Sequence, residues 1–81
     1  MNSSEQGVSG KQARSLLDLK DGAAAIIRKN SDRKSTEMGL FPGARVAMFR
    51  NRESERSVVI GAGDARFLIS RAIAQKVELE D

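Results

Sequence analysis

The chain has 81 residues, 14 Lys or Arg against 11 Asp or Glu, a formal net charge of +3, and 40% hydrophobic with 31% charged residues, the composition of a soluble globular domain rather than a disordered or fibrous one. At this length even complete folding buries only about 60% of the unfolded surface, so a single small core is the most the chain can build. Cys, His, Trp and Tyr are all absent, which excludes thiolate and imidazole metal sites, Cys nucleophiles, His general bases and disulfide staples.

Residues 1–14 are rich in Ser, Gly and Gln, show no hydrophobic period, and read as a flexible tail before a domain over 15–81. The first core signal is Leu16, Leu17 and Leu19, closed by the turn pair Asp21-Gly22. Residues 23–29 read as a strand, with Ala25 and Ile27 on one face and Ala24 and Ile26 on the other, although three consecutive alanines leave helix as a competing reading. This stretch also holds the longest apolar run, residues 23–27, far short of the roughly 20 residues that cross a bilayer, and a cytoplasmic location is expected. Asn30, Ser31 and Asp32 are N-cap candidates for a short helix reaching Met38, with Gly39 placed for a left-handed C-terminal residue.

Pro42-Gly43 predicts a type II turn, since Pro presets φ at its second position and Gly supplies the positive φ of its third. The strand expected over 44–50 alternates, with Val46 and Met48 on one face and Arg45, Ala47 and Phe49 on the other. Residues 51–57 suit an exposed loop or frayed strand end. The runs 57–60 and 65–70 flank Gly61-Ala62-Gly63-Asp64 and predict a hairpin with a four-residue glycine loop, Phe67 and Ile69 sharing a face. One helical turn over 71–75 and an alternating strand over 76–80 complete a mainly β chain. The expected fold is a small barrel of about five strands, with one short α-helix between the first two.

The order of these pieces resembles the ferrous-iron transport protein A (FeoA) family. The matching residues are Leu16-Leu17-Asp18-Leu19-Lys20-Asp21-Gly22, then Glu37-Met38-Gly39-Leu40-Phe41-Pro42-Gly43, similar to the family's E-M-G-x-x-P-G stretch. Val46, Met48 and Arg50, then Phe67-Leu68-Ile69, and finally Arg71, Ala74, Lys76 and Val77 follow in order. Ser35 and Thr36 stand where the family helix usually carries leucines. The resemblance implies an SH3-like β-barrel and a role in ferrous iron uptake, beside a membrane ferrous iron transporter with a cytosolic GTP-binding domain. It brings no catalytic residues and no cofactor.

The middle of the chain, residues 23–50, carries six basic and two acidic groups, a modest basic face. Arg33 and Lys34 could meet an acidic partner or simply form a solvated face. The stretch 38–43 is either a docking knuckle exposing Phe41 or a helix cap whose Leu40 packs back on the preceding turn. Phe49 could be covered by the N-terminal leucines or by another protein. The candidate partner-binding residues are therefore Arg33, Lys34, Glu37, Met38, Leu40, Phe41 and Phe49.

The metal donors are carboxylates alone, Glu53, Glu55, Asp64, Glu78, Glu80 and Asp81, and Glu78 and Glu80 on one strand face would stand about 7 Å apart. No metal site is expected. Gly61-Ala62-Gly63 lacks the further glycine, the following helix and the GK[ST] of a nucleotide loop. Three phenylalanines cannot line a proline-peptide groove or stack on single-stranded nucleic acid, and no specific nucleic acid partner is expected. The reading is a non-catalytic module that docks on and regulates the ferrous iron transporter. The alternatives are a metal-responsive regulatory SH3-like domain with weak transition-metal binding, or a weak nucleic-acid binder. The oligomeric state is left open.

Overall fold

A computed structural model describes residues 14–80, so residues 1–13 of the expected tail lie outside the described residues. In chain order the elements are β1 (Arg14–Ser15), a 3-10 turn (Leu16–Asp18), β2 (Ala24–Asn30), α1 (Arg33–Glu37), β3 (Arg45–Arg50), β4 (Ser57–Ala62), β5 (Ala65–Ser70), α2 (Arg71–Ala74) and β6 (Val77–Leu79). The strands form one antiparallel sheet in the order β1-β6-β2-β3-β4-β5. Leu16, Ile27, Leu40, Val46, Met48, Val58, Ile60, Val77 and Leu79 are fully or almost fully buried in its curl.

The expected count of five strands and one helix is corrected to six strands, two short α-helices and a 3-10 turn among the described residues. The added strand is the pair Arg14–Ser15, which binds Leu79 and Glu78 on β6. With β1 counted, α1 lies between the second and third strands. The expected barrel is also corrected: β5 pairs only with β4, so no hydrogen-bonded ladder closes the sheet among the described residues. The chain leaves β5 directly into α2, whose Ser70 cap accepts the Ile73 N–H at 3.1 Å, and that turn carries it to β6 instead of along the free edge.

The choice between strand and helix expected over 23–29 resolves as strand, Ala24–Asn30, because Ala24, Ala25 and Ile26 pair with Ala47, Val46 and Arg45. Both turn pairs take the expected form. Gly22 has φ +86° with Ala23 N–H donating to the Lys20 carbonyl at 2.9 Å, and Gly43 has φ +93° with Ala44 N–H donating to the Phe41 carbonyl at 3.0 Å. The four-residue hairpin loop is corrected to two residues, Gly63-Asp64, because Gly61 and Ala62 continue β4 opposite Arg66 and Ala65.

The loop 51–56 is held by one polar cluster. Asn51 Nδ2 donates to the Leu17 and Leu19 carbonyls, both at 3.0 Å, while its Oδ1 accepts from Arg71 Nη2 at 2.7 Å. Arg71 also donates to the Glu55 carbonyl at 2.6 Å and to the carbonyl of Arg52. One side-chain pair thus ties the 3-10 turn, the loop and the start of α2 together. Asn51→Ala leaves two carbonyls and a guanidinium N–H without their partners, so a loss of about 2–4 kcal/mol in unfolding free energy is expected by urea denaturation.

Candidate docking surface

Short helices are marginal alone, and α1 is held at both ends. Asp32 caps it, its carboxylate accepting the Ser35 N–H at 2.9 Å while its carbonyl accepts the Thr36 hydroxyl at 2.6 Å. Hydrogen bonding from Ser35 is the main reason the Asp32 carboxyl lies below its ordinary pKa, with Lys76 and Lys34 adding a smaller electrostatic pull. At the far end Gly39 has φ +123°, its N–H bonds the Thr36 carbonyl at 3.2 Å, and the Leu40 N–H bonds the Ser35 carbonyl at 3.0 Å. That crossed pair is the Schellman arrangement, in which a positive-φ glycine reverses the chain and the next residue packs inward.

Leu40 accordingly has no exposed surface. Its inclusion among the partner-binding residues is corrected: it positions the turn from within and touches only the core. Ser35, also buried, accepts from Asn30 Nδ2 at 2.9 Å, so the hydroxyl at this inward position is satisfied internally.

Of the remaining candidates, two form a surface ion pair and four line three grooves. Arg33 and Glu37 form an exposed i,i+4 ion pair at 3.3 Å, which contributes little in water. Lys34 and Met38 face Leu68, Ser70 and Ile73 across a groove of about 280 Å³. Phe41, 51% exposed, borders a second groove of about 340 Å³ with Gly39, Ala44, Arg45, Ala62 and Gly63. Phe49, 44% exposed, lies in a third with Arg45, Gly61 and Arg66.

The expectation that the N-terminal leucines cover Phe49 is corrected. Met48 pairs with Ile60 and Arg50 with Val59, so Phe49 is the extra residue of a β-bulge, a device that bends the strand and re-aims its side chain. The ring lies against the backbone of Gly61, where an added Cβ would collide with Cε2, and the Arg66 guanidinium sits over it at 3.9 Å from its centroid.

Sequence reasoning missed Leu68, at 65% the most exposed large hydrophobic residue among the described residues, and the arginines Arg45 and Arg66 as site residues. The signal for Leu68 was available, since placing Phe67 and Ile69 on the inner face puts Leu68 outside.

The family model for the FeoA domain matches residues 14–81. The chain belongs to the FeoA domain family. Two of the solved structures that share the fold are FeoA proteins. One is an iron uptake regulatory protein (FeoA), 23% identical over 84% of this chain and 96% of that one, with a TM-score of 0.75. The other is a Stenotrophomonas maltophilia FeoA complexed with zinc, a procaryotic SH3 domain protein, 21% identical over 84% and 91%, with a TM-score of 0.76. A manganese-dependent transcriptional repressor, 20% identical, matches 83% of this chain with 40% of its own length at a TM-score of 0.74. No curated protein matches the chain. The open sheet described above is thus an SH3-like fold.

Zinc in a relative raises the question of a metal here. The chain has no His or Cys, and no three carboxylates converge among the described residues. The donor set does not fit a zinc site.

Gly61→Ala is expected to displace the Phe49 ring and release Arg66. Urea denaturation should show a loss of about 1–3 kcal/mol, and the Phe49 aromatic proton shifts should move toward random-coil values.

Proposed function

We propose that this FeoA-family chain is a non-catalytic cytosolic accessory of ferrous iron uptake, which docks on a membrane ferrous iron transporter with a cytosolic GTP-binding domain and regulates it. The observation that carries the reading is a FeoA domain over residues 14–81 that presents Met38 and Phe41 on either side of a buried Leu40. The Stenotrophomonas relative is itself suggested to be a ferrous iron transport activating factor.

Physical support comes from the character of the surface. Apolar side chains held on a rigid turn lose little entropy on binding, the condition under which a few anchors dominate affinity. Lys34 beside Met38 adds a cation that speeds encounter with an acidic partner and weakens with salt. Among the described residues no helix is long and apolar enough to cross a membrane, so membrane association in this reading runs through the partner.

A second reading, a metal-responsive regulatory domain, rests on the fold shared with the manganese-dependent repressor. Calorimetric titration with ferrous iron separates the two, since saturation at micromolar metal would favour the second.

The first reading is tested by binding of the purified transporter's cytosolic portion to the full chain. Phe41→Ala is expected to weaken the complex at least tenfold, and Arg33→Glu to weaken it a few-fold at low salt only. Absence of wild-type association at every salt concentration would sink the proposal.

A further inference from the structure

Arg45 and Arg66 stand on the outer face of the sheet, and neither makes an ion pair or a side-chain hydrogen bond among the described residues. Arg28 and Arg56 are likewise without such partners among the described residues but line neither the Phe41 groove nor the Phe49 groove, and the remaining arginines differ. Arg33 pairs with Glu37, Arg50 with Glu55 and Arg52 with Asp21, and Arg71 is consumed by Asn51 and backbone carbonyls. The face of Arg66 rests on the Phe49 ring, which orders the guanidinium and leaves its edge donors to be satisfied from outside.

The grooves beside Phe41 and Phe49 share Arg45 and Gly63 and therefore adjoin, and together they make a trough with Phe41 at one end, Arg45 between and Arg66 at the other. The Phe41 end is lined by Gly39, Ala44 and Ala62 and suits an apolar side chain. The Phe49 end has two free cations and one carboxylate, Asp64. Arg66 pairs with Gly61, which pairs with Ala47, two residues from Arg45. Strand spacing and rise therefore place the two Cα atoms roughly 12 Å apart.

We infer that this trough takes an extended acidic segment of a protein partner, with an apolar side chain against Phe41 and carboxylates on Arg45 and Arg66. An extended chain advances about 3.3 Å per residue, so carboxylates four residues apart match the two arginines, and guanidinium forks take carboxylates in bidentate pairs. Nucleic acid fits less well. Arg66 covers one face of the Phe49 ring and Gly61 meets its Cε2 edge, which leaves one face at most for a base to stack on. The trough is concave and holds Asp64, which a continuous phosphate surface, duplex or bilayer, would meet unfavourably and a segment with two discrete carboxylates can avoid. The inference rests on the reading of the protein as a docking module and names the chemistry its partner presents.

The test is a nitrogen-15 NMR titration of the full chain at low salt with the capped peptide Leu-Ser-Glu-Ser-Ser-Ser-Glu, whose leucine and two glutamates share one face of an extended chain. Controls are Leu-Ser-Lys-Ser-Ser-Ser-Lys, Ser-Ser-Glu-Ser-Ser-Ser-Glu, a short DNA duplex and phosphatidylglycerol vesicles. We expect saturable shifts confined to residues 41–49 and 61–66 with the first peptide, none with the lysine peptide, and several-fold weaker binding without leucine. Arg45→Glu should weaken binding at least tenfold while leaving the amide shifts of the buried core unchanged. The inference is overturned if no shift appears up to millimolar peptide, if Arg45→Glu binds equally well, or if DNA or vesicles perturb these amides at lower concentration. Transporter binding measured in parallel separates the two claims. Wild-type binding that Arg45→Glu leaves intact defeats the trough but not the docking reading, whereas peptide binding without transporter binding does the reverse.

Discussion

The carboxamide of Asn30, at the end of β2, fixes everything that follows it up to β3. Its Nδ2 donates to the Ser35 hydroxyl and to the Leu40 carbonyl, both at 2.9 Å, and its Oδ1 accepts the Asp32 N–H at 2.8 Å. One half-buried side chain therefore holds the cap of α1, the inward face of the helix and the residue after its last turn. With the Leu40 carbonyl pinned, Gly39 must reverse the chain, Leu40 must point inward, and Met38 and Phe41 are left outside. The energetics favour this solution: burying a leucine is worth about 1.5–3 kcal/mol, against about 0.5–1 kcal/mol for the conformational freedom of a glycine. Exposure of the apolar docking candidates is thus a consequence of packing on the other side of the same turn.

A similar division runs over the outer surface. Charges that stabilise the fold are paired locally: Arg52 holds the Asp21 carboxyl below its ordinary pKa and Arg50 does the same to Glu55, each by a side-chain hydrogen bond. Lys34, Arg45 and Arg66, beside the apolar grooves, are without such partners among the described residues. The cations that could serve association are the ones the fold does not use.

Local chemistry was legible in the sequence wherever one or two residues decide the geometry. Pro42-Gly43, Asp21-Gly22 and Gly39 follow from backbone sterics alone, and the alternation of Val46 and Met48 reports which face is buried. Features set by distant partners were not legible. Arg14–Ser15 becomes a strand only because β6, more than 60 residues later, supplies its pair. Gly61 reads as turn because glycine is a poor strand residue, yet it lies in β4 because the Phe49 ring occupies the space its side chain would fill. The covering of Phe49 by Arg66, and hence the trough that contains Arg45, depends on both the bulge and the hairpin register. Asn30 itself was legible only as a cap candidate, and the cap proved to be Asp32, which Asn30 supports from behind.

Amide hydrogen exchange of the wild-type chain and of Asn30→Ala tests most directly whether this side chain holds the docking turn. We expect protection of the Gly39 and Leu40 amides to fall at least tenfold in the variant, while the Met48 amide, which donates to the Ala23 carbonyl, and the Ile60 amide within β4 change little. Equal protection of Gly39 and Leu40 in both proteins would contradict the account, since the turn would then be held by something other than Asn30.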